Sequence, residues 1–574
     1  MESSIERLNH FVTLLIKNVR VFNTSQCCFE RKDVALMGHV FYLIEDRLEI
    51  AGKEMIDGSD LWMIPGLIDI HMHVESSMTY PQAFYQSVLQ WGTTTCVADP
   101  HEIANVYGLE GVQYFLENAR ETDLFFGIPS SVPSTNEKLE TTGGVIGLNE
   151  AEKLLENPRM KCLGEVMNFV DMKSAHSKTN AMIRLCQKER PDFLIEGHCP
   201  QLSGEDLSYY LYCGVDADHT QQTPSSIIEK TSKGMFLEIQ EKSVTKENIE
   251  TLVSHALYDM FAFVTDDKMA HHLLHGHLNE VLKKAVALGM PVEKAIYCAT
   301  YTPARRMHLN NRGMIAPGKL ADFILLNDLS QLKIASVYKQ GKKVGASKAQ
   351  SPVFPETYYH SVHLEPLSAI DFKLPEVNAA RVRVQVMEIQ EASTFTRKTD
   401  MILDVKHGQI QWQKAGLSLI AVFERYGKNG NKAFGFVKNG LQKRAALAST
   451  WAHDHHNLMV MGNDVKLMVK IANKVIAANG GYGICLEEKK ALTILDIGGI
   501  ISSQPIATTS KSLEAVANLM TEAGYVHQNP IMSFATLSLP VSPEIKITDV
   551  GLIDVREQRI LPLIMEELSD ENND

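Results

Sequence analysis

The chain lacks the marks of several protein classes. It has no Cys-x-x-Cys, and its nine cysteines are scattered through 574 residues apart from the adjacent Cys27-Cys28. An odd number without redox or metal spacing excludes a disulfide framework, and a reducing, cytoplasmic location is expected. Positive charge is also short. With 56 Lys and Arg against 69 Asp and Glu, the net charge is −13. That sign is wrong for binding phosphate backbones, so no nucleic-acid partner is expected. No apolar run approaches the roughly 18 residues of a membrane span. The N-terminus has no basic region leading into a long apolar core, so neither a membrane nor a secretory signal is expected. Proline, glycine and serine are dispersed, and only the acidic tail 566–574 reads as disordered.

What is present is an ordinary globular composition, long enough for two or three domains. Segments 14–21, 34–37 and parts of 40–50 read as strands. The stretch 313–344 has the same character, with a buried strand at 320–326 and a strand running into a turn at 336–341. Neither flank can bury a core alone, so residues 1–63 plus 313–353 are expected to form one small composite β domain. Between them, strand signals at 67–71, 93–98, 124–128, 161–166, 193–198, 215–219, 235–239 and 261–265 alternate with helical ones. The helices are expected at 81–90, 109–121, 149–155, 175–188, 205–213, 224–232, 246–257 and 278–288, with Ser203 and Thr245 placed as caps. Eight such units over 64–312 fit an α/β fold of the (β/α)8 type. A doubly wound sheet is the alternative, but no Gly-x-Gly-x-x-Gly follows a strand. Beyond 353, strands at 382–386, 401–405, 417–423 and 433–437 and helices at 464–478 and 512–523 point to a C-terminal α+β domain over 354–574. Gly480-Gly481 reads as the stop of the first of these helices.

The stretch Gly66-Leu67-Ile68-Asp69-Ile70-His71-Met72-His73 organises the rest. Residues i and i+2 of a strand share a face, so His71 and His73 aim two imidazoles at one point. More metal-ligand types recur at later strand ends: Asp99-Pro100-His101-Glu102, Glu165, Glu196-Gly197-His198, Asp216-Ala217-Asp218-His219 and Thr265-Asp266-Asp267. In a (β/α)8 barrel those ends share the catalytic face, and charge gathered there without partner or metal carries a desolvation cost. The expectation is a metal-dependent hydrolase barrel. His71, His73 and Asp266 would hold one divalent ion, His198 and His219 the other, with Glu165 bridging. Such a pair supplies hydroxide near neutral pH for attack on an sp² carbon. Asp266 would take the water's proton and pass it to the leaving group, which these residues do not fix.

The pattern resembles the amidohydrolase superfamily and, within it, the bacterial adenine deaminases. The resemblance rests on Pro65–Asp69 with His71-Met72-His73-Val74-Glu75-Ser76-Ser77, Ala98-Asp99-Pro100-His101-Glu102-Ile103-Ala104-Asn105-Val106 and Gly164-Glu165-Val166-Met167-Asn168-Phe169. Gly197-His198-Cys199-Pro200, Asp218-His219, Gly276-His277-Leu278-Asn279, Ala452-His453-Asp454-His455-His456-Asn457 and Leu539-Pro540-Val541-Ser542-Pro543 extend it over nearly the whole chain. It implies conversion of adenine to hypoxanthine and ammonia in purine salvage. It also implies Glu165 in the place where much of the superfamily uses a carboxylated lysine, and Mn2+ as the metal, with Fe2+ or Zn2+ as alternatives. The chain departs from the family pattern in a less glycine-rich 426–436, in His455 for serine, in Ser131 for cysteine and in a histidine-rich 271–277.

Attack on the purine ring needs a proton donor at a ring nitrogen. Glu102 is the first candidate, with a raised pKa expected, and Glu75 the second. His101 is expected to be a further catalytic group at the barrel mouth, and Asn168, His453 and Asp454 to lie against the substrate. The histidines of 271–277 are expected on a solvated face, Met167 in packing, and Cys199 as a small buried residue. A small purine is the expected partner, with an oligomer of identical chains. Other readings are an amidohydrolase acting on a cyclic amide or a different aminopurine, and a non-catalytic relative that has lost ligands.

Overall fold

The computed structural model describes residues 12–345, 352 and 354–568. Val12–Asn23, Cys28–Met37, Val40–Glu45, Gly52–Asp57 and Trp62–Pro65 join Phe323–Asp328, Lys333–Lys339 and Lys342–Lys343 in one eight-stranded sheet. The two flanks meet where Trp62–Pro65 pairs antiparallel with Phe323–Asp328, Ile64 opposite Ile324. Ile16, Val19, Val34, Met63, Phe323 and Leu325 are its buried apolar face.

Eight parallel strands follow: β1 (Leu67–Met72), β2 (Thr93–Ala98), β3 (Leu124–Ile128), β4 (Met160–Val166), β5 (Leu194–Gly197), β6 (Ala217–Asp218), β7 (Phe236–Ile239) and β8 (Phe261–Phe263). They form a sheet of five, β1 to β5 in order, and a sheet of three, β6 to β8. Two links join them. Asp216 N–H donates to Ile195 C=O at 3.2 Å, and Asp266 N–H donates to His71 C=O at 3.1 Å beside a parallel bridge from Met72 to Asp266. Ile68, Ile70, Val97, Phe236, Ala262 and Val264 make a shared apolar interior. These strands are short, and the segment expected at 215–219 pairs only over Ala217–Asp218.

Helices lie between the strands close to their expected places. The one expected at 109–121 begins after Gly108 (φ 59°, ψ −140°) and ends at Asn118, and the non-helical Gly108 separates it from a further short helical segment that starts at His101. That left-handed position suits glycine and divides the catalytic-side turn from the packing helix. Thr245 caps its helix through Asn248 N–H, whereas Ser203 makes no side-chain cap. The carboxylate of Glu229 accepts the Gly204 N–H at 2.7 Å instead.

The C-terminal third holds a ten-stranded mixed sheet with Val465–Ala477 and Ile506–Glu522 packed on it, and a three-stranded sheet of Ile545–Thr548, Gly551–Asp554 and Arg559–Leu561. The first helix stops with Asn479 at φ 55° and Gly480 at φ 128°. The start of the acidic tail is ordered: Ile564–Leu568 pairs antiparallel with Arg381–Ile389. Backbone pairing outweighs local charge there, and 569–574 lie outside the described residues. Trp451, Ile484, Ile497 and Phe534 share one core cluster with Met72, Phe126 and Leu163. No helix among the described residues is long and apolar enough to cross a membrane.

Candidate active site

The strand ends converge. His73 Nε2 lies 3.4 Å from Glu165 Oε1 and 3.5 Å from Asp266 Oδ1, and His71 Nε2 lies 3.8 Å from the same Asp266 oxygen. His198 Nδ1 and His219 Nε2 both approach Glu165 Oε2, at 2.8 and 3.1 Å, and are 3.0 Å apart. The His71 and His219 rings stack at 3.8 Å. All six of these side chains are buried except His198, which is partly open. Burial pushes Glu165 up, but His219 and His198 override it and hold the carboxyl well below the usual carboxylate range. Burial and the neighbouring His219 push His71 well below an ordinary histidine.

Backbone contacts set these positions. Glu165 N–H donates to Asp99 Oδ2 at 2.8 Å. Gly164 makes that approach possible, because a Cβ there would stand 2.4 Å from the same oxygen. Asp69 Oδ2 accepts from Thr265 Oγ1 at 2.6 Å, and its Oδ1 faces the His71 and Thr265 amides at 3.4 and 3.3 Å. Asp266 itself sits at φ 55°, a strained conformation held by these neighbours. Asp218, beside His219, accepts from the amide of Cys199, beside His198, and pairs with the buried Lys230 at 2.7 Å. The Cys199 N–H to Asp218 hydrogen bond thus ties two ligand-bearing loops together, and Lys230 balances the charge of the carboxylate that accepts it.

Several residues carry roles that local sequence did not reveal. Glu238 on β7 is fully buried with Oε2 3.8 Å from His71 Nδ1. Glu196 and Asp216 pair with Arg306, at 3.0 and 2.5 Å. His277 is fully buried, not solvated, between Thr93 Oγ1 at 2.9 Å and Thr265 Oγ1 at 3.2 Å. The polar faces available under Asp69 outweigh the expected loop exposure. Met167 and Cys199 are buried, and burial pushes the Cys199 thiol well up, away from the nucleophilic thiolate.

A second group lies at the mouth. His101 turns Nδ1 toward Glu165 Oε1 at 3.6 Å and Nε2 toward Asp454 Oδ1 at 3.7 Å. His453 Nδ1 is 2.8 Å from Glu102 Oε1, and His456 Nε2 is 2.6 Å from Glu102 Oε2. The C-terminal motif therefore reaches the strand ends rather than forming an isolated polar turn. The raised pKa expected for Glu102 is reversed. Burial pushes it up, but His453 and His456 override this and hold it well below the usual carboxylate range. Glu75 shows the opposite balance: burial, then the charge of Glu102, pushes it up to about 7. Its Oε1 accepts the Ile103 N–H at 3.0 Å, while its buried Oε2 has no hydrogen-bond partner among the described residues. Asn168 uses its carbonyl oxygen to cap Phe169–Met172 and to accept from Gln558 Nε2 at 2.8 Å, leaving only its amide hydrogens for other partners. His455 points elsewhere, its Nδ1 accepting the Asn457 N–H at 3.0 Å.

Residues 62–344 match the amidohydrolase family, and residues 393–559 match the adenine deaminase C-terminal domain. An adenine deaminase of Clostridium perfringens is 48% identical over 568 residues, covering 96% of this chain and 99% of that protein. Adenine deaminase 2 of Oenococcus oeni is 46% identical over 96% of this chain and 98% of its own length. Adenine deaminase 2 of Shouchella clausii is 45% identical over 97% and 100%. The chain belongs to the adenine deaminase family. The stretch that matches the C-terminal domain includes His453 and Asp454, which face the strand ends here. As a member of this family the chain is a hydrolytic enzyme.

The residues present fit divalent metal. Ligand atoms of His71, His73 and Asp266, of His71, Glu165 and His219, and of His73, His101 and Glu165 lie within 4.8 Å of one another in each group. His71 Nε2 is buried without a hydrogen-bond partner among the described residues. Two ring nitrogens crowd one Glu165 oxygen, an arrangement a shared cation satisfies better than two competing protons. Nitrogen and oxygen donors without thiolate suit manganese or iron and also accommodate zinc.

Proposed function

We propose that the chain hydrolyses adenine to hypoxanthine and ammonia, serving purine salvage in the cytoplasm. The observation that carries this is 45–48% identity to adenine deaminases over at least 96% of the chain. We read the two parallel sheets as one (β/α)8 barrel over 64–312, with a composite β domain of 1–63 plus 313–353 and a C-terminal domain of 354–574. All nine cysteines are free thiols, as a reducing compartment would keep them.

His71, His73, Glu165, His198, His219 and Asp266 would hold two divalent ions, manganese by preference. Such a pair supplies a water that ionises near neutral pH and polarises the group it contacts. The chain's own residues do the rest. Asp266 takes the proton of the attacking water and passes it to the amino group leaving C6, since its Oδ1 faces both His71 Nε2 and His73 Nε2. Glu75 protonates a purine ring nitrogen as charge develops there. It replaces Glu102 in this role on geometric grounds: both Glu102 oxygens face histidines, whereas Glu75 Oε2 is free. His101, His453 and Asp454 close the mouth and exclude water, and the amide hydrogens of Asn168 are offered to substrate. A screen for ammonia release from adenine, other aminopurines and cyclic amides by manganese-loaded protein tests the reading. Release from adenine supports it, and release only from a cyclic amide overturns it.

A further inference from the structure

Glu238 has no part in the proposed reaction, yet it is buried completely inside the molecule. Its place on β7 explains the direction it takes. Leu237 and Ile239 pack with Leu252 and Val281 of the neighbouring helices, while Phe236 belongs to the interior shared by the two parallel sheets. Side chains two apart on a strand share a face, so Glu238 points inward with Phe236. Neither of its carboxyl oxygens has a hydrogen-bond partner among the described residues. A polar group left so in an interior is rare and calls for an explanation.

The neighbours narrow the choice. Arg306 pairs with Glu196 and Asp216, at 3.0 and 2.5 Å, and makes no ion pair with Glu238 among the described residues. Glu196 is itself a carboxyl and leaves its own Oε2 without a partner among them. His71 is the only basic side chain among the described residues within 4.0 Å of Glu238, with Nδ1 standing 3.8 Å from Oε2. That is about 1 Å beyond an N–H···O hydrogen bond, an approach rather than a bond.

The opposite edge of the same ring gives the reason for the approach. His71 Nε2 is buried, has no hydrogen-bond partner among the described residues, and stands 3.8 Å from Asp266 Oδ1 in the strand-end centre. A neutral imidazole has one N–H and one lone pair. Nε2 can serve as a metal donor only if the proton sits on Nδ1, the nitrogen that faces Glu238. The His219 ring, stacked on His71 at 3.8 Å, holds the ring in this plane. Ligating histidines almost always donate their other N–H to a carboxylate, a backbone carbonyl or water. Ionised or neutral, Glu238 keeps an acceptor oxygen, so the role does not depend on its charge.

The structure assigns Glu238 as a positioning residue that accepts the Nδ1–H of His71 and so fixes the tautomer and the aim of its Nε2. The assignment rests on His71 being a ligand of the strand-end centre proposed above, and not on which purine is the substrate.

Manganese affinity of the full chain, measured by chelator competition, tests the assignment together with the visible spectrum of cobalt-loaded protein. Glu238→Leu removes the acceptor and should weaken Mn2+ binding by about 10–100-fold and shift the cobalt bands. Glu238→Gln keeps an acceptor oxygen and should stay close to the wild type in both readouts. A role confined to packing would change the stability of metal-free protein and leave both readouts alone. Tight binding by the wild type with Glu238→Leu unchanged in both would overturn this assignment alone, and so would an equal loss in the two variants. No tight binding by the wild type would overturn the strand-end centre and this assignment with it. If Glu238→Leu does not fold by circular dichroism, a crystal structure of the manganese-loaded wild type decides. His71 Nε2 on the ion with Nδ1 within hydrogen-bond distance of Glu238 supports the assignment; Nδ1 beyond that distance, or itself on the ion, overturns it.

Discussion

Replacing Lys230 by methionine probes how the chain holds its ligand loops. Lys230 Nζ lies 2.7 Å from Asp218 Oδ2, and the side chains are 2% and 0% exposed. Asp218 also accepts from Cys199 N–H at 2.9 Å and from Thr220 and Gln222. Burial pushes this carboxyl up, but Lys230 and then His219 override it and hold it well below the usual carboxylate range. Removing the ammonium leaves a buried, uncompensated carboxylate, at a cost of about 3–5 kcal/mol. For a unit of 150–250 residues that is a fall in Tm of roughly 6–20 °C. The sign with pH follows from the pair. In the wild type the depressed carboxyl contributes stability above its unfolded pKa, near 3.9, and loses it only as pH falls through the lower folded value. In Lys230→Met the unpaired carboxyl rises above its unfolded value, so its penalty is greatest at neutral pH and shrinks on acidification. The gap in Tm should therefore be wide at pH 7.5 and narrower at pH 5, measured on metal-free protein. Adding Asp218→Asn should restore much of the loss, because the buried charge then disappears. Because Asp218 fixes the loops of both His198 and His219, the single variant should also bind less manganese. An unchanged Tm at pH 7.5, or a double variant no better than the single one, would rule out this role for the pair.

Other consequences can be checked separately. Glu75→Gln should keep the fold and bound metal yet lower kcat by about 10²–10⁴ in steady-state assays, the usual span for a lost acid group; near-normal turnover would remove it from the mechanism. Gly164→Ala puts a Cβ 2.4 Å from Asp99 Oδ2, so it should destabilise by about 1–3 kcal/mol in chemical denaturation and weaken metal binding by moving Glu165. Lys546 is fully buried, its ammonium donates to one partner among the described residues, Thr394 C=O at 2.9 Å, and burial pushes its pKa down to about 7. The unfolded chain then binds more protons between about pH 7 and 10.4, so stability rises across that window. Lys546→Met should raise Tm at pH 7 and bring the two proteins together toward pH 10; a lower Tm at pH 7 would contradict this.

The parts of the site written into one strand were readable in the chain. An i, i+2 histidine pair at a strand end must send both rings to one face, and alternating strand and helix signals placed the later ligand types at comparable ends. Helix starts were harder. The short helical segment from His101 up to Gly108 was not foreseen, and it carries His101 and Glu102 in its first turn. Long-range polar partners were hidden altogether. Nothing around Glu102 announces His453 and His456, and with them its lowered pKa. His277 sits in a histidine-rich stretch that looks solvated, yet Thr93 and Thr265 give it a buried polar niche. Glu238 lies in a segment with no motif, and only packing brings it beside His71; Arg306 ends the family-like segment 302–306, but nothing local pairs it with Glu196 and Asp216. Side chains that satisfy one another across the fold leave no periodic trace, whereas backbone elements do.

Everything proposed for the strand-end centre rests on hydrolytic deamination at C6 of adenine. Manganese-loaded protein should be incubated with adenine in H₂¹⁸O, and hypoxanthine and ammonia measured together. The expected outcome is one ammonia per hypoxanthine, ¹⁸O in the product's C6 oxygen, and loss of both products in Asp266→Asn. Unchanged adenine with fully metallated wild-type protein, or hypoxanthine without the label, would be incompatible with that chemistry.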